Sequence, residues 1–267
     1  MKTIIIPTDF SKNSLRAIDF AFDYFNQKDN HFVLCNFYES PGGSARGLTT
    51  LLDQLRKQAE KGIAEIKLIV DKKHEDHLLN LTTIVLQGAV QNEVQNLVSE
   101  TNADFVIMGT KGASGIKEML IGSNASNLLK NINIPVFAIP EDYNKYYIKD
   151  LFFSYDGNLI SRKTAQIIRS FAKSNDLPIE LMHVRNESEP PIQNWREVED
   201  LFDNHRTSLH EIYGRSYKEG IQKAIKNEKC ILVLIKRKQS IWEQIINSSD
   251  SQRVVSHLSV PILVIPD

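Results

Sequence analysis

Cysteine is scarce in this chain of 267 residues: there are two, Cys35 and Cys230, and each lies inside an apolar run, where a thiol behaves as a small hydrophobe. Two such residues cannot build a disulfide framework, and a reducing cytoplasm suits them. Charge of one sign is not in excess, with 32 Lys and Arg against 33 Asp and Glu. That balance argues against a surface that grips nucleic acid by neutralising phosphates, so no nucleic-acid partner is expected. No apolar run approaches the roughly 18 residues needed to span a bilayer, so no membrane partner is expected either. The opening MKTIIIPTDF holds three isoleucines, but Pro7 and Asp9 follow at once and leave no signal-peptide core. What remains is an ordinary globular composition, 42% hydrophobic and 24% charged, at a length that suits one large domain or two smaller ones.

Short β-branched runs alternate with stretches of helical periodicity. Residues 3–8 read as a strand and 11–25 as a helix, with Leu15, Ile18, Phe22 and Phe25 at helical spacing and Ser11 placed as its cap. Further strands are expected at 31–38, 81–86, 104–108 and 134–139, and helices at 48–70, 90–98 and 123–131. This alternation predicts an α/β fold with a parallel sheet and helices on both faces. A polar, aromatic stretch from Glu141 to Tyr147 then precedes a new apolar run, which puts domains at 1–144 and 147–267. The second half repeats the pattern, with strands at 151–155, 178–184, 208–213, 230–235 and 260–265 and helices at 161–172, 195–202, 216–225 and 242–258.

The repeat has a register. Residues 103–140, moved forward by 126 positions, fall without a gap on the end of the chain. Met108 then meets Leu234, Leu128 meets Val254, and the strand IPVFAIP meets VPILVIP with both prolines in step. Asp9, after the first strand, has Asp156 as its counterpart.

The most informative run is GTKGASGIKEMLIGSN, from Gly109 to Asn124, directly after the apolar strand 105–108. Its glycines fall as Gly109-x2-Gly112-x9-Gly122-Ser123. A strand that runs into glycines and then into a helix start is a usual way to hold phosphate. Backbone N–H groups can close on the anion, and the helix N-terminus adds partial positive charge. In the second copy Gly109 becomes Ile235, Gly112 becomes Lys238, and Gly122-Ser123 becomes Ser248-Ser249. A β-branched residue resists the close approach this cradle needs, so one working nucleotide site and one vestigial site are expected. Lys236, Arg237 and Lys238 could hold an anion through side chains, or form a solvated turn.

Together, PTDFS near the N-terminus, the strand FVIMGTKG, the glycine spacing and the closing NIPVFAIP resemble the universal stress protein family. The resemblance covers the whole chain as two tandem domains, intact in the first and degenerate in the second. It implies two tandem doubly wound open parallel five-stranded sheets of order 3-2-1-4-5, adenine-nucleotide alpha-hydrolase-like, with ATP at the carboxyl edge of the first. Residue by residue, it implies that Pro7 and Asp9 lie near the nucleoside, with Asp9 at a ribose hydroxyl. Phe37 matches an adenine-contact position that is usually a small aliphatic. Met108, Gly109, Lys111 and Gly112 match the loop under ribose and phosphates, and Gly122, Ser123, Asn124 and Ala125 the phosphate cradle. The implied role is that of a cytoplasmic stress-response sensor or regulator whose ligand is ATP, with Mg²⁺ or Mn²⁺ as a companion ion.

The chemistry of these groups agrees, since a carboxylate accepts from ribose hydroxyls and Lys111 can supply a point charge. None of them is an obvious general base or nucleophile, so binding is better supported than catalysis. Two alternatives stay open: a slow ATPase or autophosphorylating protein, and an interaction scaffold that uses no nucleotide. Gly42-x4-Gly47 lacks the lysine of a Walker loop, and His74 with His77 lacks further ligands for a metal. Trp195 and Trp242 read as packing residues. Strands 134–139 and 260–265 are expected at sheet edges, where apolar strands favour pairing. The two domains are therefore expected to form an intramolecular pseudo-dimer, while a homodimer of chains is left open.

Overall fold

The computed structural model describes residues 1–25, 28–40, 48–73, 80–110, 122–143, 148–185, 192, 194–202, 205–215, 217–225, 229–237 and 260–267. Lys111, Gly112, Gly42, Gly47, His74, His77, Lys238, Trp242, the stretch 144–147 between the expected domains and the helix expected over 242–258 lie outside them. Among the described residues the chain forms two compact units, one running to Glu141 and the other starting at Asp142.

The first unit follows the expected order. Its elements are β1 (Thr3–Pro7), α1 (Lys12–Tyr24), β2 (His31–Tyr38), α2 (Leu48–Lys73), β3 (Asn80–Gln87), α3 (Val90–Thr101), β4 (Phe105–Gly109), α4 (Ser123–Asn131) and β5 (Val136–Ile139). All strand pairs are parallel, and the spatial order is β3-β2-β1-β4-β5. Ile4, Ile5 and Ile6 are fully buried in succession, as a central strand covered on both faces requires. β3, at the edge, shows only exposed and half-buried positions. α1 starts at Ser11, whose side chain accepts from the Ser14 N–H, and it buries Ala17, Ile18, Phe20, Ala21 and Phe22. Phe20, Phe25, Phe105 and Phe137 cluster under it, with ring centroids 5.0 to 5.9 Å apart. That aromatic layer packs α1 against β4 and β5.

The second unit is the same design. It contains β6 (Asp150–Ser154), α5 (Arg162–Ser174), β7 (Ile179–Arg185), α6 (Trp195–Asp200), β8 (Thr207–Tyr213), α7 (Tyr217–Ile225), β9 (Cys230–Lys236) and β10 (Ile262–Pro266). Its parallel strands run β8-β7-β6-β9-β10, again 3-2-1-4-5. The repeat extends to pairing register: Ile4 faces Phe32 in the first unit, and Leu151 faces Ile179 in the second, both shifted by the same amount. Ser161 caps α5 through the Thr164 N–H as Ser11 caps α1. Even the backbone after the first strand repeats, since Phe10 and Gly157 are both left-handed, at φ 65° and 85°.

Candidate functional site

Strand order reverses between β1 and β4, and the carboxyl ends of these strands open a crevice where sheets of this kind hold ligands. A cavity of about 280 Å³ lies there. β1 brings Pro7, Thr8 and Asp9 to its wall, β2 brings Asn36 and Phe37, and β4 brings Met108 and Gly109. The start of α4 supplies Gly122, Ser123, Asn124 and Ala125. Every site residue predicted from sequence that is described therefore lines one cavity, while Lys111 and Gly112 lie outside the described residues.

The end of β1 is held firmly. The Thr8 N–H donates to the Cys35 carbonyl at 2.8 Å, and the Asn36 amide donates back to the Thr8 carbonyl at 2.7 Å. Thr8 Oγ1 and Ser14 Oγ share a buried hydrogen bond of 2.9 Å. The Asp9 carboxylate is exposed at the mouth, where Oδ1 accepts the Ser11 N–H at 3.1 Å. Asp9 thus steadies the turn into α1 while Ser11 caps the helix. Phe10, next to it, is a bulky residue in the left-handed region, a conformation that costs of order 1–3 kcal/mol. Its ring lies against Gly62 of α2, where an added Cβ would come within 2.7 Å of it.

The start of α4 is built differently from the starts of α1 and α5. Gly122 is its N-cap at φ −61° and ψ 154°, and no side chain caps the first turn, in contrast to α1 and α5. No acidic residue lies in that turn either. The amides of Ser123, Asn124 and Ala125 begin the helix beside the cavity, where a helix N-terminus favours negative charge. Among the described residues lining the cavity, Asp9 and Glu39 are the charged side chains and both are acids. Among the described residues, only backbone amides could favour an anion here.

Gly122 has backbone angles open to any residue, and Gly109 is absent from the positive-φ positions. The absence of a side chain at Gly109 has a packing cause: an added Cβ would stand 2.9 Å from the Asn13 carboxamide and 3.0 Å from its backbone carbon. Sequence reading missed Asn13, and also Thr8, Ser14, Asn36, Glu39 and Thr110 around the cavity. A buried asparagine in the first turn of an apolar helix, and another inside the apolar strand β2, were the available signals.

The profile of the universal stress protein family matches residues 1–140. The chain belongs to the universal stress protein family. A universal stress protein of Methanocaldococcus jannaschii is 33% identical over 141 residues, which cover 52% of this chain and 81% of the relative. Universal stress protein G of Escherichia coli is 29% identical over 143 residues, covering 52% and 98%. Among solved structures, a universal stress protein from Archaeoglobus fulgidus superposes with a TM-score of 0.73 at 19% identity, covering 99% of this chain and 96% of its own. A functionally unknown protein from Pseudomonas aeruginosa gives 0.61 at 12% identity, covering 100% and 92%. These two share the fold across both halves.

In this universal stress protein the counterpart of Asp9 in the second unit is held by an ion pair. Arg237, the counterpart of Lys111, forms a two-pronged ion pair with Asp156, the counterpart of Asp9: Nη2 donates to Oδ1, and Nε to Oδ2 at 3.3 Å. The same guanidinium donates to the carbonyls of Leu159 at 2.9 Å and Asn158 at 3.3 Å, and lies 3.5 Å from Asp267. Tyr155 stands where Thr8 does, fully buried, its hydroxyl donating to Asn194 at 2.9 Å. Burial pushes that phenol up, with Asp156 adding to the rise, while the Asn194 hydrogen bond and Arg237 oppose it. His183 repeats Asn36 by reaching the Tyr155 carbonyl at 2.9 Å. Of the basic triplet read as an anion holder or a solvated turn, Arg237 is engaged by carboxylates, and burial pushes the Lys236 ammonium down.

Proposed function

We propose that this universal stress protein binds an adenine nucleotide, ATP, in the cavity of its first unit and acts in the cytoplasm as a stress-response regulator through its ligand state. The observation that carries the reading is a pairing at one cavity: the start of α4, which has no side-chain cap among the described residues, and the exposed Asp9 carboxylate at the end of β1. The first suits phosphate and the second suits ribose hydroxyls. Phe37 and Met108, apolar and at strand ends in the same cavity, suit the face of a purine ring. Ser123, Asn124 and Ala125 would hold the phosphates through their N–H groups. A companion Mg²⁺ or Mn²⁺ would offset the negative charge of Asp9 and the phosphates.

Gly122→Asp tests this with the fold preserved. The backbone at Gly122 accepts an aspartate, which is a better N-cap than glycine by a few tenths of a kcal/mol. Its carboxylate would occupy the same amides and repel phosphate. Melting temperature should hold or rise, while ATP affinity measured by calorimetry should fall by about tenfold or more, or ~1.4 kcal/mol. Undiminished ATP binding in this variant would contradict the assignment of α4 as the phosphate cradle.

A further inference from the structure

Asn13 sits in the first turn of α1 and is buried to 3% exposure, an unusual place for a carboxamide. Its Nδ2 donates to the Ile139 carbonyl of β5 at 2.9 Å. Its Oδ1 accepts from Thr110 Oγ1 at 3.4 Å. The Ile139 carbonyl also receives the Thr110 N–H at 3.0 Å, and the Thr110 carbonyl receives the Gly122 N–H at 2.7 Å. One chain of hydrogen bonds thus runs from Asn13 through Ile139 and Thr110 to the N-cap of α4. The side chain lies flat on Gly109, in the space a Cβ would need.

The second unit shows what this arrangement is for. Aligned on the capping serines Ser11 and Ser161, Asn13 corresponds to Lys163, which is exposed, and Gly109 corresponds to Ile235, which is buried. Both members of the pair are gone together, yet the second unit builds the same strand order. The fold therefore does not depend on the asparagine. We propose that Asn13 is a positioning residue that latches Thr110 and Gly122 to β5, so that the amides at the start of α4 stand ready for a phosphate. Gly109 is the space that lets the latch close. The functional part of this proposal rests on the nucleotide reading above.

Hydrogen exchange on the full ligand-free chain tests the latch without any ligand. In Asn13→Ala, the Thr110 and Gly122 amides should exchange about tenfold faster or more, while those of β1 and β2 keep their protection. Asn13→Ser, which keeps a small polar group in the helix but cannot reach Ile139, should behave alike. Unchanged exchange at both amides, or an even rise through the sheet, would overturn the proposal. ATP titration supplies the functional arm: both variants should bind about tenfold more weakly than wild type. Full ATP affinity in the variants would overturn the positioning role. If wild type itself bound no ATP, the nucleotide reading would fail, and exchange at Thr110 and Gly122 would still decide whether Asn13 is the latch.

Discussion

Asp9 and Asp156 hold the same place in their units and have different neighbours. Asp9 faces a cavity and steadies a turn, whereas Asp156 is gripped by Arg237 with both carboxylate oxygens. The ion cluster in the second unit extends to Asp267, which accepts from the Ser161 N–H at 3.1 Å and the Thr164 hydroxyl at 2.7 Å. Burial by itself would raise the Asp267 carboxyl. Hydrogen bonds from Ser161 and Thr164, with Arg237 nearby, outweigh it and hold the group below its ordinary value of 3.8. A carboxyl held low in the folded state contributes stability that is complete above its unfolded pKa and is lost as pH falls through the lower folded value. Asp267→Asn should therefore flatten the fall of melting temperature on acidification below about pH 5. A fall as steep as that of wild type would count against this role. None of this was legible in the sequence. Arg237 and Asp156 are 81 positions apart, and Asn13 and Ile139 are 126 apart. Local periodicity carries no trace of which distant side chains will meet. Pro7, Phe37 and Met108 could be named because the family resemblance matches them residue by residue, and they stand at strand ends, where such a fold gathers its site.

Elements were easier to read than their surroundings. β2 and α4 fall at the expected limits, because an apolar run bounded by polar residues fixes the first and the glycine-serine start fixes the second. α2 extends three residues past the expected end, into Lys73, where lysines continue a helix without needing a partner surface. The leucines and isoleucines of this amphipathic helix lie on one side, and burial on that side is confined to Ala59, Ile63, Ile66 and Val70. Leu48, Leu51, Leu52 and Leu55 in the first turns are exposed or half-buried. A helical segment with few buried side chains opens locally at low cost. Amides over residues 48–58 should exchange faster than those over 59–73, as read by mass spectrometry after deuterium labelling. Equal protection along the whole helix would contradict the burial pattern. The pattern of apolar residues fixes which face of a helix is apolar; how far along its length another element lies against that face depends on chain elsewhere.

At the scale of the whole chain, there are two units of one strand order with different residues at their crevices. One unit keeps a cavity of about 280 Å³ with a bare helix start. The other places Arg237, Asp156 and Tyr155 at the corresponding position. The profile of the family stops at residue 140, and this agrees with a second half that has kept the fold while its loop residues changed. The central claim is that one chain holds one nucleotide, in its first unit. Equilibrium dialysis of the purified full chain against ATP, carried to saturation, tests it most directly. The account predicts one ATP bound per chain. Two per chain would contradict a second crevice in which Arg237 holds Asp156, and none would leave the first cavity without its proposed ligand.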